Sequence, residues 1–171
     1  MVGQQKRSSQ AESDVNSRTS VVRRYPASQA QQGFWFLHEL APESAAYNVI
    51  SAWRIQSRLD VDALHKACDS VTNRHESTRT TYCVVDGVLM AEVRNQNDGL
   101  VLVDAAGWTP EELLRQVSDE AHRPFDLEHG PVSRGVLFSV SSEDHVLLIS
   151  AHHIAADGWS NLIFMKELGI L

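Results

Sequence analysis

The sequence is poor in cysteine and has no long apolar run. Its 171 residues include two cysteines, Cys68 and Cys83, which stand in no spacing typical of metal binding. We expect both to be small core residues, because a structural disulfide is disfavoured in the cytosol. No apolar run reaches the length of a membrane span and the N-terminus has no hydrophobic signal core, so the sequence predicts a cytoplasmic protein without a membrane partner.

Several common catalytic signatures are also missing. The sequence has no glycine-rich phosphate-binding loop, no Gly-x-Ser-x-Gly elbow, no HExxH or CxxC pair and no internal repeat. It therefore offers no motif for a P-loop enzyme, an α/β-hydrolase or a zinc peptidase.

Charge is distributed unevenly along the chain. Residues 1–24 hold five basic and two acidic residues, net +3, and the remainder holds 10 basic and 20 acidic residues, net −10. An acidic body disfavours nucleic acid as a partner. The first 24 residues are rich in Ser, Gln and Arg, which predicts a disordered tail, with a docking segment for an upstream protein as the alternative.

Residues 25–171 predict one α/β domain. Ser28, Asp60 and Thr109 have the positions of helix N-caps, and Asp86-Gly87 has the composition of a two-residue hairpin turn. After the first helix, the predicted order is β-α-β-β-β-α-β-β-α, which indicates an α/β sandwich with a mixed sheet. The predicted strands are 47–55, 78–85, 88–93, 100–103, 132–140 and a central one from 146.

The stretch VLLISAHHIAADGWS, residues 146–160, carries the candidate chemistry. The apolar run from Val146 predicts a short strand that is buried on both faces. His152 and His153 follow it, and on a strand they would point to opposite faces. Asp157 and then Gly158 come next, and a glycine lets the chain turn sharply or approach a substrate closely.

Three interpretations of this stretch stay open on the residues alone. The pair His152 and His153 can be two hydrogen-bonded histidines without a chemical role. His153 and Asp157 can be two metal ligands, although a catalytic zinc usually takes three protein ligands. The third interpretation is a general base for acyl transfer, with Asp157 either orienting the imidazole or binding an arginine.

Four stretches in order resemble the N-terminal part of a condensation domain of nonribosomal peptide synthetases. The last of them, from His152 to Gly158, matches the HHxxxDG motif completely. Gly33 stands where the opening motif usually has an arginine, and Thr78 stands where the second motif commonly has a leucine. The matching stretches are Ser28-Gln29-Ala30-Gln31 with Trp35 and Leu37, Arg74-His75-Glu76 with Arg79-Thr80, Arg123-Pro124-Phe125-Asp126-Leu127 with Gly130-Pro131, and His152 to Ser160.

The resemblance implies a chloramphenicol-acetyltransferase-like fold of two similar lobes with a tunnel between them. Residues 25–171 are long enough for one lobe, so we expect an N-terminal lobe whose C-terminal lobe is missing. We expect little or no condensation activity from the 171 residues alone.

The resemblance also implies the reaction and its partners. Donor and acceptor carrier proteins bring their substrates on phosphopantetheine arms, and the domain itself binds no cofactor or metal. The donor is an acyl or peptidyl thioester, the acceptor carries an aminoacyl group, and the product is an amide on the acceptor arm. An adenylation domain is expected downstream.

Catalytic roles follow from the same resemblance. His153 takes the amine proton, or orients the amine and stabilises the charged intermediate, while His152 is structural. Asp157 fixes the loop by pairing with Arg79, or as second choice Arg74. The predicted site also includes Gly158, which donates its N–H to the oxyanion, and Trp159, which gives structural support.

Two further functions remain as alternatives. One is a related HHxxxDG enzyme, either an epimerisation domain or a stand-alone acyltransferase. The Ser-x-Ala-Gln opening at Ser28 favours condensation over epimerisation. The other is an inactive lobe that only binds carrier proteins.

Overall fold

A computed structural model describes residues 21–95 and 99–169. None of the helices in these two ranges is long and apolar enough to cross a membrane. A 3₁₀ turn, Glu76–Arg79, lies between the second helix and the third strand. The helices and strands are β1 (Val21–Pro26), α1 (Gln29–Leu40), β2 (Asn48–Ile55), α2 (Val61–Arg74), β3 (Thr80–Val85), β4 (Val88–Arg94), β5 (Leu100–Asp104), α3 (Pro110–Ala121), β6 (Ser133–Ser141), β7 (Asp144–His152) and α4 (Gly158–Leu168).

The strands form two sheets. The larger has the order β2-β7-β6-β5, in which β5 runs parallel to β6 and the other pairs are antiparallel. The smaller has the order β1-β4-β3 and is antiparallel. The predicted α/β class with a mixed sheet is confirmed, and β7, the strand that leads to the histidine pair, is internal to the mixed sheet.

Both faces of the mixed sheet are covered by helices. On one face α2 and α4 pack on a cluster that includes Leu147 and Ile149, and on the other α3 packs on a cluster that includes Phe138 and Leu148. Because β7 is buried on both sides, its apolar run does not alternate with polar residues. The predicted double burial of the strand from Val146 is therefore confirmed.

A third apolar cluster joins the small sheet to the irregular segment 123–131. It contains Tyr82 of β3, Phe125 and Leu127 of the segment, and Ile154 from the loop after β7. The backbone N–H of Tyr82 also donates to the carbonyl of Leu127 at 2.8 Å. This cluster connects the loop that carries His153 with the rest of the fold.

Local sequence signals placed three boundaries correctly. The Asp60 carboxylate accepts the N–H of Ala63 at 2.9 Å at the start of α2. Thr109 and Glu112 form the expected capping box at the start of α3. Asp86-Gly87 takes positive φ at both residues, 51° and 80°, as a type I′ hairpin turn requires.

The predicted N-terminal tail was wrong for its last four residues, because β1 begins at Val21. All six residues of β1 are exposed, so no burial pattern marks them as a strand. Backbone pairing with β4 holds the strand, together with ion pairs from Arg23 to Glu76 and from Arg24 to the buried Glu92. The first twenty residues of the predicted tail lie outside the described ranges.

Candidate functional site

The histidine pair lies where β7 ends between two neighbouring segments. The backbone N–H of His152 donates to the carbonyl of Val132 at 2.9 Å. The N–H of His153 donates in the other direction, to the carbonyl of Tyr47 at 2.8 Å. His152 is 2% exposed, whereas His153 is exposed. The two side chains therefore occupy opposite environments, as the sequence predicted.

His152 is a buried neutral imidazole. Its Nδ1 accepts the backbone N–H of Ile154 at 3.1 Å, so the ring proton of the neutral form is on Nε2. Burial, with smaller contributions from the charges of His38 and His153, lowers the pKa of His152 to about 4. Through its bond to Ile154, His152 fixes the turn that follows β7.

His153 presents an imidazole that faces solvent on one side and an aromatic ring on the other. The ring of Phe34, from α1, stacks on it with 5.0 Å between centroids and 14° between planes. Within residues 21–95 and 99–169, no side chain or backbone group hydrogen-bonds to the His153 ring, and the residue is exposed. A neutral imidazole nitrogen in such a setting is chemically able to accept a proton.

Asp157 is the N-cap of α4. Its Oδ1 accepts the backbone N–H of Ser160 at 2.7 Å and the Ser160 hydroxyl at 2.6 Å. These two hydrogen bonds lower the pKa of the Asp157 carboxyl. The carboxylate therefore fixes the first turn of the helix after the motif.

The predicted pairing of Asp157 with an arginine was wrong. The Arg79 guanidinium donates instead to the carbonyls of Arg94 at 2.7 Å and Asn73 at 3.4 Å. Arg74 pairs with Glu167 at 3.2 Å. Carbonyls at the end of a helix attract cations, and Asn73 and Arg74 lie in the last turn of α2.

Gly158 and Trp159 follow the histidine motif at the start of α4. Gly158 is the first residue of the helix, its φ is not positive, and an added Cβ would meet no atom within 4 Å. The helix therefore does not need a glycine-specific backbone conformation at this position. Trp159 is 73% exposed and gives the described fold little packing support, so the expected structural support from this residue was wrong.

A hydrogen-bond chain, which the sequence did not reveal, runs from the exposed opening motif through the buried Tyr82 to the loop after β7. The Gln31 amide donates to the Tyr82 hydroxyl at 3.1 Å, and this hydroxyl donates to the carbonyl of Ile154 at 3.3 Å. The other end of the Gln31 amide accepts the N–H of Ser28 in the helix cap. Gln31 of the opening motif and Tyr82 of β3 thus hold the loop that carries His153.

A cavity of about 100 Å³ lies beside the motif. Ala151 and Ala156 line it next to the histidines, and Cys68 lines it from α2. Burial raises the pKa of the Cys68 thiol to about 11, so this thiol stays protonated and is a poor nucleophile. Both cysteines are free, and in the described part of the chain no three His, Cys, Asp or Glu side chains form a group able to hold a metal ion.

Comparisons with known proteins show the family of the chain. The family model of the condensation domain matches residues 21–171. A linear gramicidin synthase of Brevibacillus parabrevis is 40% identical over 148 residues, covering 84% of this chain and 2% of that protein. Isonitrile lipopeptide synthase of Mycobacterium tuberculosis is 42% identical over 138 residues, covering 79% of this chain and 6% of that protein.

A solved structure shows the same fold. The starter condensation domain of rhizomide synthetase matches with a TM-score of 0.78 at 20% identity, covering 85% of this chain and 36% of that one. The fold is that of one lobe of the chloramphenicol-acetyltransferase-like class. The chain belongs to the condensation-domain family of nonribosomal peptide synthetases. It spans only a few per cent of the length of its curated relatives.

Proposed function

We propose that the chain is the N-terminal lobe of a condensation domain that forms amide bonds, with His153 as its catalytic histidine. The observation that carries the proposal is the contrast between the two histidines of the motif. His152 is buried, neutral and bonded to the backbone, whereas the His153 ring is exposed and makes no hydrogen bond within the described ranges. Only His153 is free to meet a substrate.

The proposed reaction balances without a resident cofactor. The amine nitrogen of the acceptor attacks the carbonyl carbon of the donor thioester, so a C–N bond forms and the C–S bond breaks. His153 accepts the amine proton or orients the amine, and the donor arm leaves as a thiol that takes up a proton. No covalent bond between the acyl group and the protein is needed.

The start of α4 is suited to the negative charge that develops on the carbonyl oxygen. The Gly158 N–H is at the first position of the helix, where backbone N–H groups lack partners within the helix. Asp157 binds the N–H of Ser160 and not that of Gly158. The Gly158 N–H is therefore our proposed donor to the oxyanion, aided by the helix dipole.

The substrates in this proposal arrive on phosphopantetheine arms of a donor and an acceptor carrier protein. The second lobe of the domain and a downstream adenylation domain complete the set of partners. Exposed apolar side chains on α4 support a covering lobe, because a large exposed apolar area is unusual on a free surface. They are Trp159, Leu162 and Ile163, at 73%, 65% and 39% exposure. We expect the 171 residues alone to have little or no condensation activity.

The test is a His153→Ala exchange in a synthetase that contains both lobes and both loaded carriers. Intact-protein mass spectrometry then measures the amide product on the acceptor carrier. We expect a loss of at least a hundredfold in rate, the lower end of what a positioned general base contributes, about 10²–10⁴-fold. His122→Ala is the matched control, since His122 is exposed at the end of α3.

A His153→Ala protein that forms the amide at the rate of the His122→Ala control would contradict the proposal. Product that carries the donor group but lacks the new amide bond would point instead to a related acyl transfer.

A further inference from the structure

Phe34 is held on two sides and offers its free ring face to the proposed catalytic histidine. Its ring meets Tyr47 edge-on, with 5.5 Å between centroids and 72° between planes. It meets His152 in the same manner, at 6.3 Å and 87°. The third contact is the parallel stack on His153 at 5.0 Å and 14°. A ring fixed by two edge contacts has little freedom to leave the third partner.

Within residues 21–95 and 99–169, no hydrogen bond orients the ring of His153. Catalytic bases are usually oriented by a third group that accepts a hydrogen bond from one ring nitrogen. No such acceptor is present within residues 21–95 and 99–169, and the nearby Asp157 is bonded to Ser160. The backbone of His153 is fixed by its bond to Tyr47, and its side-chain ring stacks on Phe34.

We propose that Phe34 is a positioning residue for His153: by stacking on one face, its ring sets the plane of the imidazole and so the direction in which the in-plane lone pair of a ring nitrogen meets the reacting amine. The consequence for the reaction rests on the proposed function. The aromatic face also favours the imidazolium that forms when His153 takes up the proton.

The first test needs no activity and uses the 171-residue chain. In two-dimensional ¹H–¹³C spectra, the Phe34 ring current displaces the ring-proton resonances of His153. In Phe34→Leu these resonances move towards those of a free imidazole, and in Phe34→Tyr they stay in place. Phe36→Leu is the matched control, because Phe36 lies on the same helix and is 62% exposed. Resonances that stay unchanged in Phe34→Leu overturn the proposal.

The second test measures kinetics in the two-lobed synthetase. We expect Phe34→Ala to lower kcat roughly tenfold, because small displacements of reacting groups already cost up to about a hundredfold in rate. The KM for the acceptor carrier should stay within about twofold of the parent, since Phe34 binds no carrier in this proposal. Phe34→Tyr should restore kcat. If Phe34→Ala does not fold, Phe34→Leu keeps most of the volume and should lower kcat in the same direction.

The two proposals fail in different ways. A Phe34→Leu protein with full kcat, beside an inactive His153→Ala protein, overturns the positioning role alone. A His153→Ala protein with full kcat overturns the proposed function, and with it the kinetic role of Phe34. A lower melting temperature with unchanged kcat would mean that Phe34 only packs, which also overturns the proposal.

Discussion

Removing one oxygen atom from Tyr82 should measurably destabilise the fold. The Tyr82 side chain is 1% exposed, and its hydroxyl bridges the Gln31 amide at 3.1 Å and the carbonyl of Ile154 at 3.3 Å. Tyr82→Phe keeps the ring in the core and deletes both bonds. The substitution leaves the buried carbonyl of Ile154 without its hydroxyl donor, whereas the half-buried Gln31 amide can hydrogen-bond to water instead.

The magnitude follows from the geometry of the two bonds. A buried polar group that loses its partner costs about 1–3 kcal/mol, and an ordinary hydrogen bond contributes about 0.5–1.5 kcal/mol. The 3.3 Å distance to Ile154 is long for a hydroxyl donor, which puts its loss near the lower end of that range. We therefore expect Tyr82→Phe to lower the free energy of unfolding by about 2 kcal/mol, or the melting temperature by about 4–8 °C.

Urea unfolding followed by circular dichroism measures this change. Tyr25→Phe is the matched control, because Tyr25 is 37% exposed and its hydroxyl can reach water. We expect that control to lie within about 0.5 kcal/mol of the parent. If Tyr82→Phe is no less stable than Tyr25→Phe, the hydroxyl bridge does not hold the histidine loop and the reasoning is refuted.

Two further predictions concern pH and helix capping. The pKa of His152 is about 4 in the folded protein, compared with 6.5 for an ordinary histidine. As the pH falls from 6.5 towards 4, the imidazole is therefore protonated in the unfolded chain but not in the folded protein, and the free energy of unfolding declines. The free energies of unfolding from urea titrations at pH 7 and pH 5 should differ by about 2 kcal/mol because of this group, and a His152→Gln protein that shows the same decline would contradict the assignment. Thr109→Ala should lower the free energy of unfolding by about 1 kcal/mol by removing the capping hydroxyl of α3. In thermal melts, Thr109→Ser should have a melting temperature close to that of the parent. An equal loss of stability in Thr109→Ala and Thr109→Ser would exclude the capping hydroxyl as the cause.

The elements that the sequence predicted well are those defined by short-range patterns. A side-chain oxygen at Asp60 or Thr109 competes for N–H groups only three residues away, so its effect is visible in the sequence. Asp86-Gly87 similarly needs only two residues with positive φ. The apolar run of β7 is unbroken because helices cover both faces of its sheet. The caps and the turn depend on residues within one short segment, and the strand is recognisable because it is buried on both faces.

The parts that the sequence missed depend on contacts between distant segments. β1 is exposed along its whole length, so pairing with β4 stabilises it and its own composition gives no pattern. Asp157 and Arg79 have opposite charges, but they do not pair with each other. Asp157 accepts hydrogen bonds from Ser160, and Arg79 donates to backbone carbonyls. No local pattern relates Phe34 to His153, which lies more than a hundred positions away in the sequence, and only the tertiary structure places the two rings together.

The exposure of Trp159 gives the protein a built-in fluorescent reporter. The other three tryptophans, Trp35, Trp53 and Trp108, are all half-buried, whereas the Trp159 indole is 73% in contact with water. The red edge of the emission spectrum should therefore come from Trp159. A protein surface that binds over the start of α4 should shift the Trp159 emission to shorter wavelength and protect the indole from iodide quenching. A titration monitored at this one indole can then report the affinity of a covering lobe without any label.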